Sequence, residues 1–396
     1  MQNALEGVRV LDFTQMMLGP WGTQFLGDYG ADVIKVERPG VGEWERGLRA
    51  MGQLLRDGNS AFFAAMNRNK RSLALDLKSA DAIELIYQML PNIDVVVENF
   101  RPGVMDKLGL GYEKLASINP SIIYASGSGY GSSGPYVTRP GQDLIIQAIS
   151  GLAANTGRQD DLPVALGSAV VDASTALMLA LHIMIALYHR KLTGQGQKVE
   201  VSLFNTAIAL QCQELSAYTN LGLRWERSES GIAQAWLAAP YGIYPVRDGY
   251  IAIAMASLAQ LGEVLGIPEL KDYDDPEAAF LHRDHVKQLV EQTTVQFDRA
   301  TLLDKLLAAD IWSGPVQDFS ELVEDPQLEH NEMLIEVDQH DAGTLTLVGY
   351  PGKLSKTPGS LRYPPPRVGE HTDEILQEYG FDSAKIAELR SKKAIG

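Results

Sequence analysis

A single carboxylate, Asp172, stands in the stretch GSAVVDASTALM (167–178), whose other residues are apolar or small. Burying a charge is costly unless it is paired, hydrogen-bonded or put to chemical use. Two uses fit the position, because a helix is expected to start here. Asp is a favoured helix N-cap, a role for which Ser174 and Thr175 compete. Alternatively, the dipole and free N–H groups of the same helix start keep a partly desolvated carboxylate ionised and able to attack an activated acyl group. The residues alone leave both open, and the two are compatible.

Other groups point to binding. Glu37 ends a predicted strand where the ribose-binding acid of a dinucleotide site would stand, but Gly19, Gly22, Gly27 and Gly30 do not make G-x-G-x-x-G and Pro20 occupies the turn. That spacing argues against a nicotinamide enzyme. Arg38, Arg68, Lys70, Arg71, Lys78, Arg101 and Lys107 fall mostly just after predicted strands. Singly, each reads as solvated surface charge. Together, in an acidic protein, they predict a site for a phosphorylated ligand. The stretch SGSGYGSSGP (126–135) reads either as a phosphate cradle or as a plain flexible loop. His182 and His189 belong to an apolar helix as packing or capping residues, and no Ser-His-Asp or Cys-His arrangement is legible. The single cysteine, Cys212, makes no internal disulfide, and without a Cys/His cluster no metal site is expected.

The elements that must position these groups follow from periodicity. GVRVLDF, ADVIKVE, SLALDLK, NIDVVVENF, SIIYASGS and QKVEVSL read as strands, separated in the first half by helical stretches such as TQMMLGPWGTQFLGDYG and SADAIELIYQML. This alternation predicts an α/β fold with a mostly parallel sheet and ligand sites at the carboxyl ends of the strands. ASTALMLALHIMIALYHRKLTG is apolar nearly all round and stops at Gly194, which predicts a buried helix. Periodicity is lost from about Leu223 to Pro240, a hairpin turns at Arg247-Asp248-Gly249, and a mainly helical, acidic domain is expected to about 325. The tail reads as irregular and Pro-rich (YPPPRVGEHT), then helical (TDEILQEYG).

With 396 residues, 45% of them hydrophobic and 21% charged, the chain has the length for two globular domains. A net charge of −16 argues against nucleic acid and anionic membrane as partners. Residues 1–110 hold 12 Lys/Arg against 14 Asp/Glu, so nearly all the excess lies in the remainder. An anionic ligand is therefore expected in the first third. The apolar run 162–188 is broken by Asp172 and His182 and reads as core, not as a membrane span. The start MQNALEGVRVLDF has neither a secretory nor an import leader, so the expected location is the cytoplasm.

Taken together, LDFTQMMLGPWGTQFLGDYGADVIKVERPG, NRNKRSLALDLK, VVVENFRPGVMDKLGLGY, PGQDLIIQAISGL, ALGSAVVDASTALM, HRKLTGQGQKVEVSL, APYGIYPVRDGYIAIA and PPPRVGEHTDEIL resemble the family III CoA-transferases, also called the carnitine dehydratase/bile-acid CoA-transferase family. The blocks run in family order over essentially the whole chain. The resemblance implies that Asp172 is a nucleophile that takes the acyl group of an acyl-CoA as an acyl-aspartyl anhydride, and that CoA then passes to a small carboxylic acid. It implies CoA as a substrate with no permanently bound cofactor. The implied fold is a Rossmann-like large domain of residues 1–220 and 330–396, a small domain of residues 221–329, and an interlocked homodimer. Met16, Met17, Leu18, Arg38, Leu75, Lys78, Asn99, Phe100, Arg101 and Lys107 match CoA-contact positions, with Asn99 and Phe100 at the adenine and the basic residues at the phosphates. Gln142 and the loop 231–242, bounded by Gly231 and Gly242, are the expected acyl contacts.

Two departures narrow the expectation. The formyl-CoA:oxalate branch carries a run of glycines where this chain reads SGIAQAWLAAPYG, which weighs against oxalate. The 2-methylacyl-CoA racemases place a His in a G-H-D motif where this chain has Gly141-Gln142-Asp143, and a glutamine takes up no proton at neutral pH. Against transfer between two acids stand an isomerase of the same fold, whether racemase or intramolecular CoA transfer, and a CoA binder without catalysis.

Overall fold

Runs of β-branched residues form the six strands that periodicity predicts: β1 (Arg9–Asp12), β2 (Asp32–Glu37), β3 (Lys70–Ala74), β4 (Val95–Glu98), β5 (Ile123–Ser128) and β6 (Gln197–Ser202). The computed structural model describes residues 3–222 and 226–396, so Leu223, where the aperiodic stretch is expected to begin, lies outside it. All five neighbouring pairs are parallel, in the order β3-β2-β1-β4-β5-β6. Strands such as VVVE are buried on both faces, which is why they read as continuous apolar runs and not as alternating ones. The order reverses beside β1, so the crevice between the ends of β1 and β4 is where such sheets take ligands.

Two compact units result. Met1–Ile146, Ala169–Thr206 and Pro326–Gly396 make the first, and Gln147–Ser168 with Ala207–Asp325 the second. Residues 147–168 and 207–220, expected in the large domain, thus belong to the second unit. The reason is polar: the Arg227 guanidinium donates to the carbonyls of Thr156 (2.8 Å), Gln159 (3.2 Å) and Asp161 (2.6 Å), and the Gln211 amide donates to Ser150 (3.1 Å). The second unit is built on an antiparallel three-stranded sheet of Gly242–Val246, Gly249–Ile253 and Ser313–Pro315, packed with helices around Tyr244, Ile251, Val286 and Leu302.

The tail holds a hairpin that the sequence reading missed, Leu334–Gln339 with Gly343–Val348. Its alternate residues Ile335, Val337, Leu345 and Leu347 pack against Leu55 and Ala64 in the first unit. The chain end then returns to the parallel sheet, where Gly396 N–H donates to the Ala74 carbonyl (3.1 Å).

Three helices matter for the site: α1 (Leu18–Asp28), α2 (Asp143–Ile149) and α3 (Val170–Thr193). α3 ends as expected at Gly194, left-handed with φ 75°. It is not buried all round. Val171, Thr175, Ala176, Leu179, Ile183 and Ala186 face inward, while Leu177, Leu181, Ile185, Tyr188 and Leu192 lie exposed along the other side of this single chain. By length and composition alone α3 would reach across a membrane, but its inward face packs along α1. Gly22 permits that contact, since a Cβ there would stand 3.0 Å from the Ala176 carbonyl and 3.1 Å from Leu179. The glycines whose spacing fits no nucleotide turn therefore include one in a helix-packing seam.

Candidate active site

Asp12, at the end of β1, anchors the crevice from below. It is fully buried and accepts hydrogen bonds from Thr14 N–H (2.9 Å), Thr23 Oγ1 (2.6 Å) and Lys70 Nζ (3.1 Å). Burial pushes its carboxyl up, but Lys70, Lys35 and the two hydroxyls outweigh this and hold it at about 2. Lys70 itself is drawn down to about 8 by burial, which Asp12 only partly offsets.

Above Asp12, residues 14–17 turn from β1 into α1. The Asn99 side chain brackets Gln15, its Oδ1 accepting from Gln15 N–H (2.8 Å) and its Nδ2 donating to the Gln15 carbonyl (2.7 Å). Asn99 is thus engaged by the chain's own backbone, which removes these bonds from the adenine-holding role expected of it. Met16 is left-handed at φ 63°, and its N–H donates to Glu43 (2.9 Å). Glu43 in turn pairs with Lys35 (2.9 Å). Nearby Glu45 is buried, has one carboxyl oxygen without a hydrogen-bond partner, and is pushed up to about 8 by burial and by the charges of Glu43 and Asp172. It is therefore mostly a neutral acid at pH 7.

Asp172 lines a cavity of about 340 Å³ together with Gln15, Met16, Leu18, Trp44, Asn99 and Gln142. It is not the N-cap of α3: that position is Ala169, with no side-chain cap. Ser174 and Thr175 bond back to the carbonyls of Val170 and Val171. The cap comes instead from Asp143, at the start of α2, whose carboxylate accepts from Val171 N–H (2.8 Å) and Asp172 N–H (3.0 Å). This corrects the expectation of a carboxylate held ionised by the helix start. With those N–H groups occupied, burial and then the Asp143 charge push Asp172 up to about 7, where it is half ionised at neutral pH.

The loop that carries Asp143 is set by backbone-on-backbone contact. A Cβ built on Gly141 would stand 2.4 Å from the Gly129 Cα, and one on Gly129 would stand 2.7 Å from the Gly141 Cα. Of the Gly-rich stretch after β5, Gly129 thus has a packing role.

Two of the cavities that adjoin the Asp172 cavity hold expected CoA contacts. One of about 390 Å³ is lined by Arg38, Leu75, Lys78 and Phe100, and shares Gln15 with the Asp172 cavity. The other, of about 350 Å³, contains Phe100, Arg101 and Arg139 and shares Asn99 and Gln142 with it. The structure thus gathers Met16, Leu18, Asn99 and Gln142 around Asp172, and Arg38, Leu75, Lys78, Phe100 and Arg101 next door. Met17 is the N-cap residue of α1 and Lys107 is exposed, and neither lines these three cavities. Gly231 and Gly242 belong to the second unit, where the chain of Ile232 pairs with Gly242.

Three of the seven basic residues are not ligand groups. Arg68 is buried on Asp28 (2.7 Å), Lys70 on Asp12, and Arg71 pairs with Asp32, Glu374 and Glu378. The sequence reading missed Asp143 and the Lys35–Glu43 pair. A lysine in the middle of the buried strand DVIKVE is the signal that could have exposed the latter.

Known proteins resemble this chain over nearly its whole length. The model of the family described as CoA-transferase family III matches residues 5–372. A formyl-CoA:oxalate CoA-transferase of Rhodopseudomonas palustris (strain BisB18) is 35% identical over 426 residues, spanning 100% of this chain and 98% of that protein. The beta subunit of the succinyl-CoA–L-malate CoA-transferase of Chloroflexus aurantiacus is 34% identical over 401 residues, spanning 99% and 98%. The crystal structure of a CAIB/BAIF family protein from Brucella suis superposes with a TM-score of 0.83 at 33% identity, over 96% of this chain and 100% of that one.

Proposed function

We propose that this chain, which belongs to CoA-transferase family III, moves CoA from an acyl-CoA donor to a small carboxylic acid through an acyl-aspartyl anhydride on Asp172. The carrying observation is that Asp172 faces a cavity with its helix N–H groups taken by Asp143, so its carboxylate is poorly stabilised and reactive. The ionised Oδ attacks the thioester carbonyl carbon, the C–S bond breaks, and CoA leaves as the thiolate. The acceptor carboxylate attacks the Asp172 carbonyl of the anhydride and expels the donor acid. The thiolate then attacks the acceptor's acyl carbon, and the Asp172 carboxylate is regenerated. A mixed anhydride keeps the activation of a thioester, so no ATP is needed. The developing oxyanion is assigned to the start of α1, which lacks a side-chain cap and places Leu18 in the cavity wall.

The nucleotide end of CoA is assigned to the cavity of Arg38, Leu75, Lys78 and Phe100, with the pantetheine arm passing Gln15 to reach Asp172. Formyl, oxalate, succinyl and malate groups appear in the relatives' names, which supports small carboxylic acids as the class of acceptor. Gln142 in the cavity wall lacks the acid-base capacity that a racemase requires. The apolar stripe along α3 supports a homodimer, and the lone Cys212 supports the cytoplasm as the location.

Mass spectrometry after mixing the protein with succinyl-CoA and a panel of other acyl-CoAs, with hydroxylamine trapping, is expected to find the acyl or hydroxamate mass on the peptide holding Asp172. An unmodified Asp172 with every donor would overturn the anhydride. A second expectation concerns the loop: Gly141→Ala should lower kcat at least tenfold with the circular dichroism spectrum retained, because Gln142 and Asp143 must shift with it. A kcat within twofold of wild type would remove that loop from the machinery.

A further inference from the structure

We infer that the buried ion pair Lys35–Glu43 is a positioning device that holds the Gln15–Met16 wall of the Asp172 cavity and thereby sets the rate at which Asp172 takes up an acyl group. The inference rests on the reading of Asp172 as the acylated residue. Lys35 lies in β2 and Glu43 in the loop after it, with side chains 0% and 2% exposed. Such a pair is a poor device for stability alone, since well-packed apolar residues of similar volume serve as well or better. What the pair adds is direction. Lys35 Nζ donates to the Thr14 carbonyl (3.0 Å) and stands 2.9 Å from Glu43 Oε1 as an ion pair, while Glu43 Oε2 accepts from Met16 N–H (2.9 Å).

One ion pair therefore ties the backbone on both sides of Gln15, while Asn99 binds the N–H and carbonyl of Gln15 itself. Three consecutive residues are pinned by side chains from β2, from the loop after it and from the end of β4. Met16 is the reason pinning is needed. At φ 63° it holds a backbone conformation that a bulky L-residue leaves when nothing enforces it. Its N–H is consumed by Glu43, so Met16 contributes shape and not an oxyanion donor. That shape matters because Gln15 and Met16 form part of the wall around Asp172, and Gln15 also lines the cavity of Arg38 and Lys78. A wall shifted by about an ångström misaligns a thioester that spans both, which costs on the order of a hundredfold in rate.

Two variants test this by single-turnover acylation of Asp172, read by trapped mass and normalised to folded protein. Glu43→Gln keeps an acceptor for Met16 N–H but removes the negative charge that stands against Lys35. The double substitution Lys35→Met with Glu43→Met keeps the volume buried and removes the direction. Both are expected to load Asp172 at least tenfold more slowly, with the KM for acyl-CoA within about threefold, and the double variant is expected to keep the wild-type Tm within a few degrees. Loading within threefold of wild type in whichever variant folds overturns the positioning role, even if its Tm falls. Failure of the wild-type chain to acylate Asp172 refutes instead the anhydride reading, which separates the two.

Discussion

Asp172→Ala is expected to lower CoA transfer by at least about four orders of magnitude, as loss of a catalytic nucleophile does, while acyl-CoA affinity stays within a few-fold. The same substitution is expected to raise the melting temperature. Asp172 stands at about 7 in the folded chain against an ordinary 3.8. An acid whose value is raised by folding loses stability as pH climbs from its unfolded to its folded value, and the loss is constant above the latter. Three units correspond to about 4 kcal/mol at most. The side chain is only partly buried, so screening leaves about 1–2 kcal/mol and a gain of a few degrees. The gain should be absent near pH 4, grow to pH 7, and then hold. Calorimetry across that range, paired with transfer assays, checks both halves. A variant that is inactive but also destabilised at pH 8 would mark Asp172 as a structural residue, and one that still turns over would end its candidacy as nucleophile.

The second large effect is on pH dependence. Only the ionised carboxylate attacks, so acyl loading should fall tenfold per unit below about pH 7 and reach a plateau near pH 8. Asp143→Asn tests the cause. An asparagine oxygen still accepts from Val171 and Asp172 N–H, so α3 keeps its cap while the like charge disappears. The acid limb should therefore move to lower pH. It should stop short of 3.8, because burial is the larger cause and remains. A limb fixed at pH 7 in Asp143→Asn would mean that Asp143 does not repel Asp172, and a wild-type limb near pH 4 would mean that Asp172 is not desolvated.

The parallel sheet is legible, and Asp172 stands out as a candidate, because each depends on local pattern: β-branched runs in the strands, and one charge in an apolar stretch. What escaped was partnership across the chain. Arg68, Lys70 and Arg71 look in sequence like any phosphate-binding bases, yet their partners lie at Asp28 and Asp12 and, for Arg71, as far away as Glu374 and Glu378. The cap of α3 is likewise donated by Asp143 from another helix, and no periodicity connects residue 143 with residue 171. The family resemblance implies a large domain that includes residues 147–168, and nothing in their weak pattern shows that the Arg227 guanidinium gathers their carbonyls. Asn99 matches a CoA-contact position through the family resemblance, and only the fold shows Gln15 holding both ends of its amide.

The touching backbones of Gly129 and Gly141 restrict how this protein can diversify. Drift toward a new acid must proceed through side chains such as Gln142 and Trp44, because any substitution at the two glycines displaces the segment that carries Asp143 and with it the cap of the helix bearing Asp172. Descendants of this chain can therefore trade one substrate for another by single surface-lining replacements, whereas a lineage that loses either glycine is expected to lose the activity itself.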